Sequence, residues 1–304
     1  MDEQGKNAGG DADLRGLANA RTPHQHGAYT SPHSLHPRVA INSLSSFSWS
    51  FDQELALSTE LGACWMGLLG MKLGADPTEA FGRMRQSGIS ISTVIAAGFD
   101  LRSPEAWDAT RAQLNTLIDA VAAFGGWSVY ITPGRTTGAP WVDVLETFAE
   151  AVGPCVAHAR KMGVRLAFEP SLRTDVSFVH TMRDAVDVCA RTGLGMVVDF
   201  GNCWMERDFR EVLHRAAPHI ALLQVSDSVI SRSGISAISS APGRVPFFEG
   251  ELPIRRMMQD VKDSGYGGPI ELELPGPLGD AEGYDAVIRR GARVLSNVLY
   301  DLAF

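Results

Sequence analysis

From Arg38 onward, short apolar runs rich in β-branched residues alternate with longer stretches of helical period. The strand-like runs are Val39–Asn42, Trp65–Leu69, Ile91–Ala96, Ser128–Ile131, Arg165–Glu169, Gly195–Asp199, Ile220–Val225 and Pro269–Leu274. Amphipathic stretches lie between and after them: Asp52–Leu61, Pro77–Ser87, Pro104–Phe124, Val142–Met162, Thr181–Arg191, Asp208–Ala217, Ile254–Ser264 and Asp280–Leu302. Strands separated by helices pair in parallel through right-handed crossovers. Eight such units close into a (β/α)8 TIM barrel, a fold that needs about 250 residues. The rival, an open doubly wound sheet, calls for a Gly-rich phosphate turn after the first strand, and none is present. Gly62, Gly88, Gly125, Gly163, Gly193 and Gly265 each stand where a helix should stop before the next strand, as left-handed C-caps do. Residues 37–304 therefore read as one α/β domain, an eight-stranded parallel barrel. Residues 1–36 are rich in Gly, Asn, Asp, His and Ser and bury too little to offset their ordering entropy. They read as a disordered N-terminal arm whose histidines (His24, His26, His33, His36) are solvated.

Composition narrows the function classes. The 304 residues are 45% hydrophobic and 20% charged, with a net charge of −8. A nucleic-acid surface needs a basic stripe, so nucleic acid is not an expected partner. The cysteines Cys64, Cys155, Cys189 and Cys203 show no CxxC pairing and read as reduced, mostly buried thiols. No run of 18 apolar residues and no apolar signal-peptide core occurs, so no membrane span and a cytoplasmic location are expected.

In a barrel of this kind, active residues sit at the C-terminal ends of strands. The fifth run ends on Glu169 and the sixth on Asp199. The seventh carries Gln224 with Asp227 beyond it, and the eighth offers Glu271 and Glu273. Apolar strands that end in acids need a counter-charge. Several acids around one rim point to a divalent cation, and oxygen-only ligation suits Mg²⁺ or Mn²⁺.

The same segments, LAFEP, VVDFGN, LLQVSD, PGRVPFFEGELPI and SGYGGPIELELPGP, with SFSWSFDQELALSTELGA and MKLG before them, resemble the xylose-isomerase-like (sugar phosphate isomerase/epimerase) TIM-barrel superfamily over about residues 39–300. The resemblance implies a metal held by Glu, Asp, His and Glu from strands five to eight, matched here by Glu169, Asp199, Gln224 and Glu273. Glu273 is preferred to Glu271 because it matches the acid before the closing apolar–Pro turn. The two share a face of the strand, with Glu273 nearer the rim. It also implies that Arg244 binds substrate oxygens, that Glu169 and Glu273 carry protons, and that the chain assembles as a dimer or tetramer. Three family histidines are replaced, by Gln224, Asn202 and Leu172. Gln can ligate a hard cation through its amide oxygen, and Asn can hydrogen-bond a substrate hydroxyl. The endonuclease branch, which needs several histidines and a basic groove, does not fit.

The expected function is a divalent-metal-dependent isomerase or epimerase acting on a keto-sugar or cyclitol through an enediolate. The alternatives are a lyase or dehydratase on the same scaffold, working by β-elimination from a keto-sugar, keto-cyclitol or 3-oxo-glycoside, and a metal-free binding or partner subunit. Trp49, Trp65 and Phe99 are candidates for an apolar pocket wall and Trp204 for the rim. Lys72 is a candidate for an anionic group of a ligand. His158, His180, His214 and His219 read as surface or structural groups.

Overall fold

The computed structural model describes residues 34–74, 76–230 and 243–304. Eight strands close a barrel in the order β1-β10-β7-β6-β5-β4-β3-β2, and each of its pairings is parallel. They are β1 (Val39–Asn42), β2 (Trp65–Leu69), β3 (Ser90–Ile95), β4 (Ser128–Ile131), β5 (Arg165–Phe168), β6 (Gly195–Asp199), β7 (Ile220–Val225) and β10 (Ile270–Leu272). After β7 the chain adds a two-stranded antiparallel ribbon, β8 (Asp227–Ser228) with β9 (Arg244–Val245). The expected strands match to within one or two residues at each end. The six expected helix-ending glycines all have positive φ, between 65° and 79°. One expected helix differs. Asp280–Leu302 is two helices, α9 (Pro277–Glu282) and α10 (Tyr284–Asp301), because Gly283 has φ 88° and breaks the helical path.

Helix packing follows from side-chain period. In α5 (Met182–Thr192) the buried positions are Met182, Ala185, Val188 and Cys189. In α8 (Ile254–Asp263) they include Ile254, Met257, Met258 and Val261. The i, i+3, i+4, i+7 spacing puts them on one stripe against the sheet. Inside the barrel, Tyr130, Ala167, Val197, Ala221 and Leu222 form a separate apolar cluster, so the lumen is packed below the site. Residues 1–33, with His24, His26 and His33, lie outside the described residues. Leu35 and His36 are already buried, and Ser296 Oγ accepts from the His36 N–H at 2.8 Å. The packed chain thus begins before residue 37. All four cysteines are free, and three are buried. Among the described residues no helix is long and apolar enough to cross a membrane.

Candidate active site

Three barrel strand ends and the ribbon strand β9 supply the site. Glu169 directly follows β5. Asp199 ends β6 and also caps a single helical turn, α6 (Phe200–Cys203), by accepting the Gly201 N–H at 3.0 Å. Glu273 directly follows β10. Arg244 comes from β9, where the ribbon register sets it opposite Ser228. One carboxylate oxygen each of Glu169, Asp199 and Glu273 lies within 4.8 Å of the others. Arg244 forks onto Asp199, Nη1 to Oδ1 at 2.5 Å and Nη2 to Oδ2 at 2.6 Å, and Nη1 stands 3.8 Å from Glu273 Oε2. Asn202 Nδ2 donates to Glu169 Oε1 at 2.8 Å and Asp199 Oδ2 at 2.6 Å. The expected residues Glu169, Asp199, Glu273, Arg244 and Asn202 thus converge.

Two local devices make the arrangement possible. A Cβ at Gly201 would stand 2.5 Å from Arg244 Nε and closer still to Cζ, so only glycine leaves room for the guanidinium there. The buried Asp227 carboxylate accepts the N–H groups of Ser228, Phe248, Gly250 and Leu252 at 2.7–3.1 Å. It fastens the loop that follows Arg244.

Burial and mutual repulsion dominate the electrostatics. Glu169 is half-buried as a residue, and burial of its carboxyl and then the Asp199 charge push it up to about 8, against Arg244 and Asn202. Glu273 is pushed well above the ordinary carboxylate range by burial, then by Asp199 and Glu169. Burial disfavours the Arg244 charge, but Asp199 outweighs it and holds the guanidinium above its usual range. A cluster of three acids with one cation is short of positive charge. Two buried oxygens, Glu273 Oε2 in the cluster and Oε1 of Gln224, the register partner of Asp199, have no hydrogen-bond partner. Hard oxygen donors that lack a donor partner fit an Mg²⁺ or Mn²⁺ ion, which would bring the cluster with Arg244 to neutrality.

The other expected residues divide. Gln224 pairs in register with Asp199, and its Nε2 donates to Tyr130 OH at 3.2 Å and Glu271 Oε2 at 3.0 Å. Trp49 is half-buried, 5.9 Å from the Tyr284 ring, and Trp204 is also half-buried. Trp65 is not part of a pocket wall. It opens β2 at the opposite end of the barrel, where its indole donates to Pro37 O at 3.1 Å and packs on Trp127. Phe99 is core, 2% exposed. Lys72 is taken up by Glu54 at 2.6 Å and Ser46 O at 3.0 Å, bracing the loop after β1 rather than reaching a ligand. His158 pairs with Asp119. His180 precedes α5 instead of lying in a helix, and its Nδ1 is 2.8 Å from Ser171 O. Tyr130, Asn42 and Ser92 escaped the sequence reading. Each is a polar residue inside a strand run, the one signal that marked them.

Comparison with known proteins agrees with this fold. The family described as xylose isomerase-like TIM barrel matches residues 51–297. No curated protein sequence matches significantly. Among solved structures, the zinc-bound IOLI protein is 16% identical with a TM-score of 0.75, covering 87% of this chain and 99% of its own. The probable 3-DHS dehydratase AsbF of Bacillus anthracis is 14% identical with a TM-score of 0.70, covering 86% and 99%. A D-psicose 3-epimerase from Clostridium cellulolyticum H10 is 15% identical with a TM-score of 0.66, covering 88% and 96%.

Proposed function

The chain belongs to the xylose isomerase-like TIM-barrel family, and from that premise we propose that it is a divalent-metal-dependent isomerase or epimerase of a keto-sugar or keto-cyclitol. The observation that carries the reading is the pair of adjacent glutamates, half-buried Glu169 and buried Glu273, beside the Arg244–Asp199 ion pair. Glu169, Asp199 and Glu273 would hold the ion, with Gln224 Oε1 as a neutral fourth oxygen. When bound, the ion supplies Lewis acidity to a substrate carbonyl and its neighbouring hydroxyl.

The chain's own groups do the rest. Asn202 engages Glu169 Oε1, which leaves Oε2 to take a proton from the carbon beside the carbonyl. Glu273 Oε2, which has no hydrogen-bond partner, returns a proton from its own side. Return to the same carbon gives epimerisation, and return to its neighbour gives isomerisation. Arg244, buried and fixed by its fork, places a permanent positive charge near the enediolate oxygens. The half-buried Trp49 and Trp204 contribute to binding the substrate. A second reading uses the same parts. Glu273 Oε2, free of any hydrogen-bond partner, also suits a proton delivered to a leaving group, giving a lyase or dehydratase.

The test is exchange at carbon. Mn²⁺-loaded protein is incubated in D₂O with a panel of keto-sugars and keto-cyclitols and followed by NMR. Deuterium should enter the carbon beside the carbonyl, and Glu169→Gln should abolish this. Loss of water or of an aglycone in place of an isomer selects the second reading. No exchange with any panel member, with Mn²⁺ bound, refutes both.

A further inference from the structure

One buried carboxylate has no part in the proton transfers above. Glu271 lies fully buried in the barrel lumen. It accepts from Asn42 Nδ2 at 2.6 Å, Ser92 Oγ at 2.5 Å and Gln224 Nε2 at 3.0 Å. These donors come from β1, β3 and β7. The space for it comes from Gly67, where a Cβ would stand 2.8 Å from Glu271 Cδ and closer still to Oε1. A carboxylate that collects three donors acts as an acceptor toward all of them. That settles which end of the Gln224 amide faces it.

The amide nitrogen has two protons. One goes to Glu271 and the other faces Tyr130 OH. Oε1 is therefore turned away from Glu271. It is buried and has no donor. A buried carbonyl oxygen without a partner costs about 1–3 kcal/mol. The reverse orientation would set Oε1 against the Glu271 carboxylate and aim two N–H groups at any cation in the cluster.

We propose that Glu271 is a positioning residue: it locks the Gln224 amide so that Oε1, not Nε2, is presented to a hard divalent cation at the Glu169–Asp199–Glu273 cluster. The inference rests on the metal-site reading above and adds to it. A metal ligand held by a hydrogen-bonded partner behind it is a general arrangement, and losing the partner weakens metal affinity about 10–100-fold. Asn42, Ser92 and Gly67 act one step further back, by fixing Glu271.

The test is Mn²⁺ affinity, read by EPR of free Mn²⁺, for wild type, Glu271→Leu, Gln224→Leu and the double variant. Glu271→Leu leaves Gln224 Nε2 without its carboxylate acceptor, so the amide is no longer held. Affinity should fall about 10–100-fold. On the Gln224→Leu background the same change should alter affinity less than about threefold, since the two residues act as one unit. Wild-type affinity in Glu271→Leu, or losses that multiply in the double variant, overturns the positioning role while leaving the metal site standing. Absence of binding in wild type overturns both. Should Glu271→Leu fail to fold by circular dichroism, a crystal of wild type grown with Mn²⁺ decides. Oε1 on the ion with Nε2 on Glu271 supports the proposal, and any other placement of the amide overturns it.

Discussion

Replacing Gly201 by alanine is expected to destabilise the protein even though the substitution looks favourable by local rules. Gly201 sits in the helical turn α6 with no positive φ, where alanine is favoured over glycine by about 1 kcal/mol. The opposing effect comes from Arg244. A Cβ at this position would stand 2.5 Å from Nε and nearer still to Cζ. An exposed arginine would swing aside at little cost. Arg244 is 4% exposed, and both of its terminal nitrogens are bound to Asp199. Moving it breaks a buried bidentate ion pair, a loss of about 3–5 kcal/mol. Asn202 and the Gly201 N–H still serve Asp199, so the lower part of that range applies. The net loss is then about 2–3 kcal/mol, which for a domain of this size lowers Tm by roughly 5–10 °C. Thermal unfolding in chelator, followed by circular dichroism, reads the effect without a bound ion. A Tm equal to or above wild type means that Arg244 is not seated against Gly201, and the geometry of the site as described is then wrong.

Three further outcomes follow from the same cluster. Glu273→Gln removes one of the three carboxyls that would hold the ion, so it should weaken Mn²⁺ binding in calorimetry. Gln224→His should keep or tighten binding and move preference toward Zn²⁺ in competition titrations, because imidazole suits that ion better than an amide oxygen does. The cation-free protein should lose stability as pH rises. Glu169 ionises at about 8 when folded against an ordinary 4.5, so the folded state binds the extra proton between those values and unfolding becomes easier as pH climbs through them. Denaturant midpoints in chelator should fall across that window, and saturating Mn²⁺ should flatten the fall; a rise with pH would contradict the raised Glu169.

How much of this was legible in the chain differs by level. The barrel was, because the strand runs are apolar and six of the eight amphipathic stretches between and after them end at a glycine that tolerates left-handed backbone. The acids were legible because several of them end successive apolar strands, at the barrel end where active residues sit. Partner choice was not. The fork between Arg244 and Asp199 joins residues from β9 and β6, and only Gly201 hints at the close approach. The Glu271 network draws on β1, β3 and β7, so no local pattern reveals it. Lys72 went astray for the same reason: an exposed-looking loop lysine finds the buried Glu54 only in three dimensions. Trp65 was misplaced because it lies at the first residue of its strand and so at the far end of the barrel.

The central claim is that Glu169, Asp199 and Glu273 form one divalent-cation site. It is tested most directly by the metal content of purified protein after exposure to Mn²⁺ and desalting, for wild type and for Glu169→Ala. The account predicts close to one Mn²⁺ per chain in wild type and a large loss in Glu169→Ala. Equal, near-zero metal in both would contradict it and leave the binding or partner subunit as the reading to pursue.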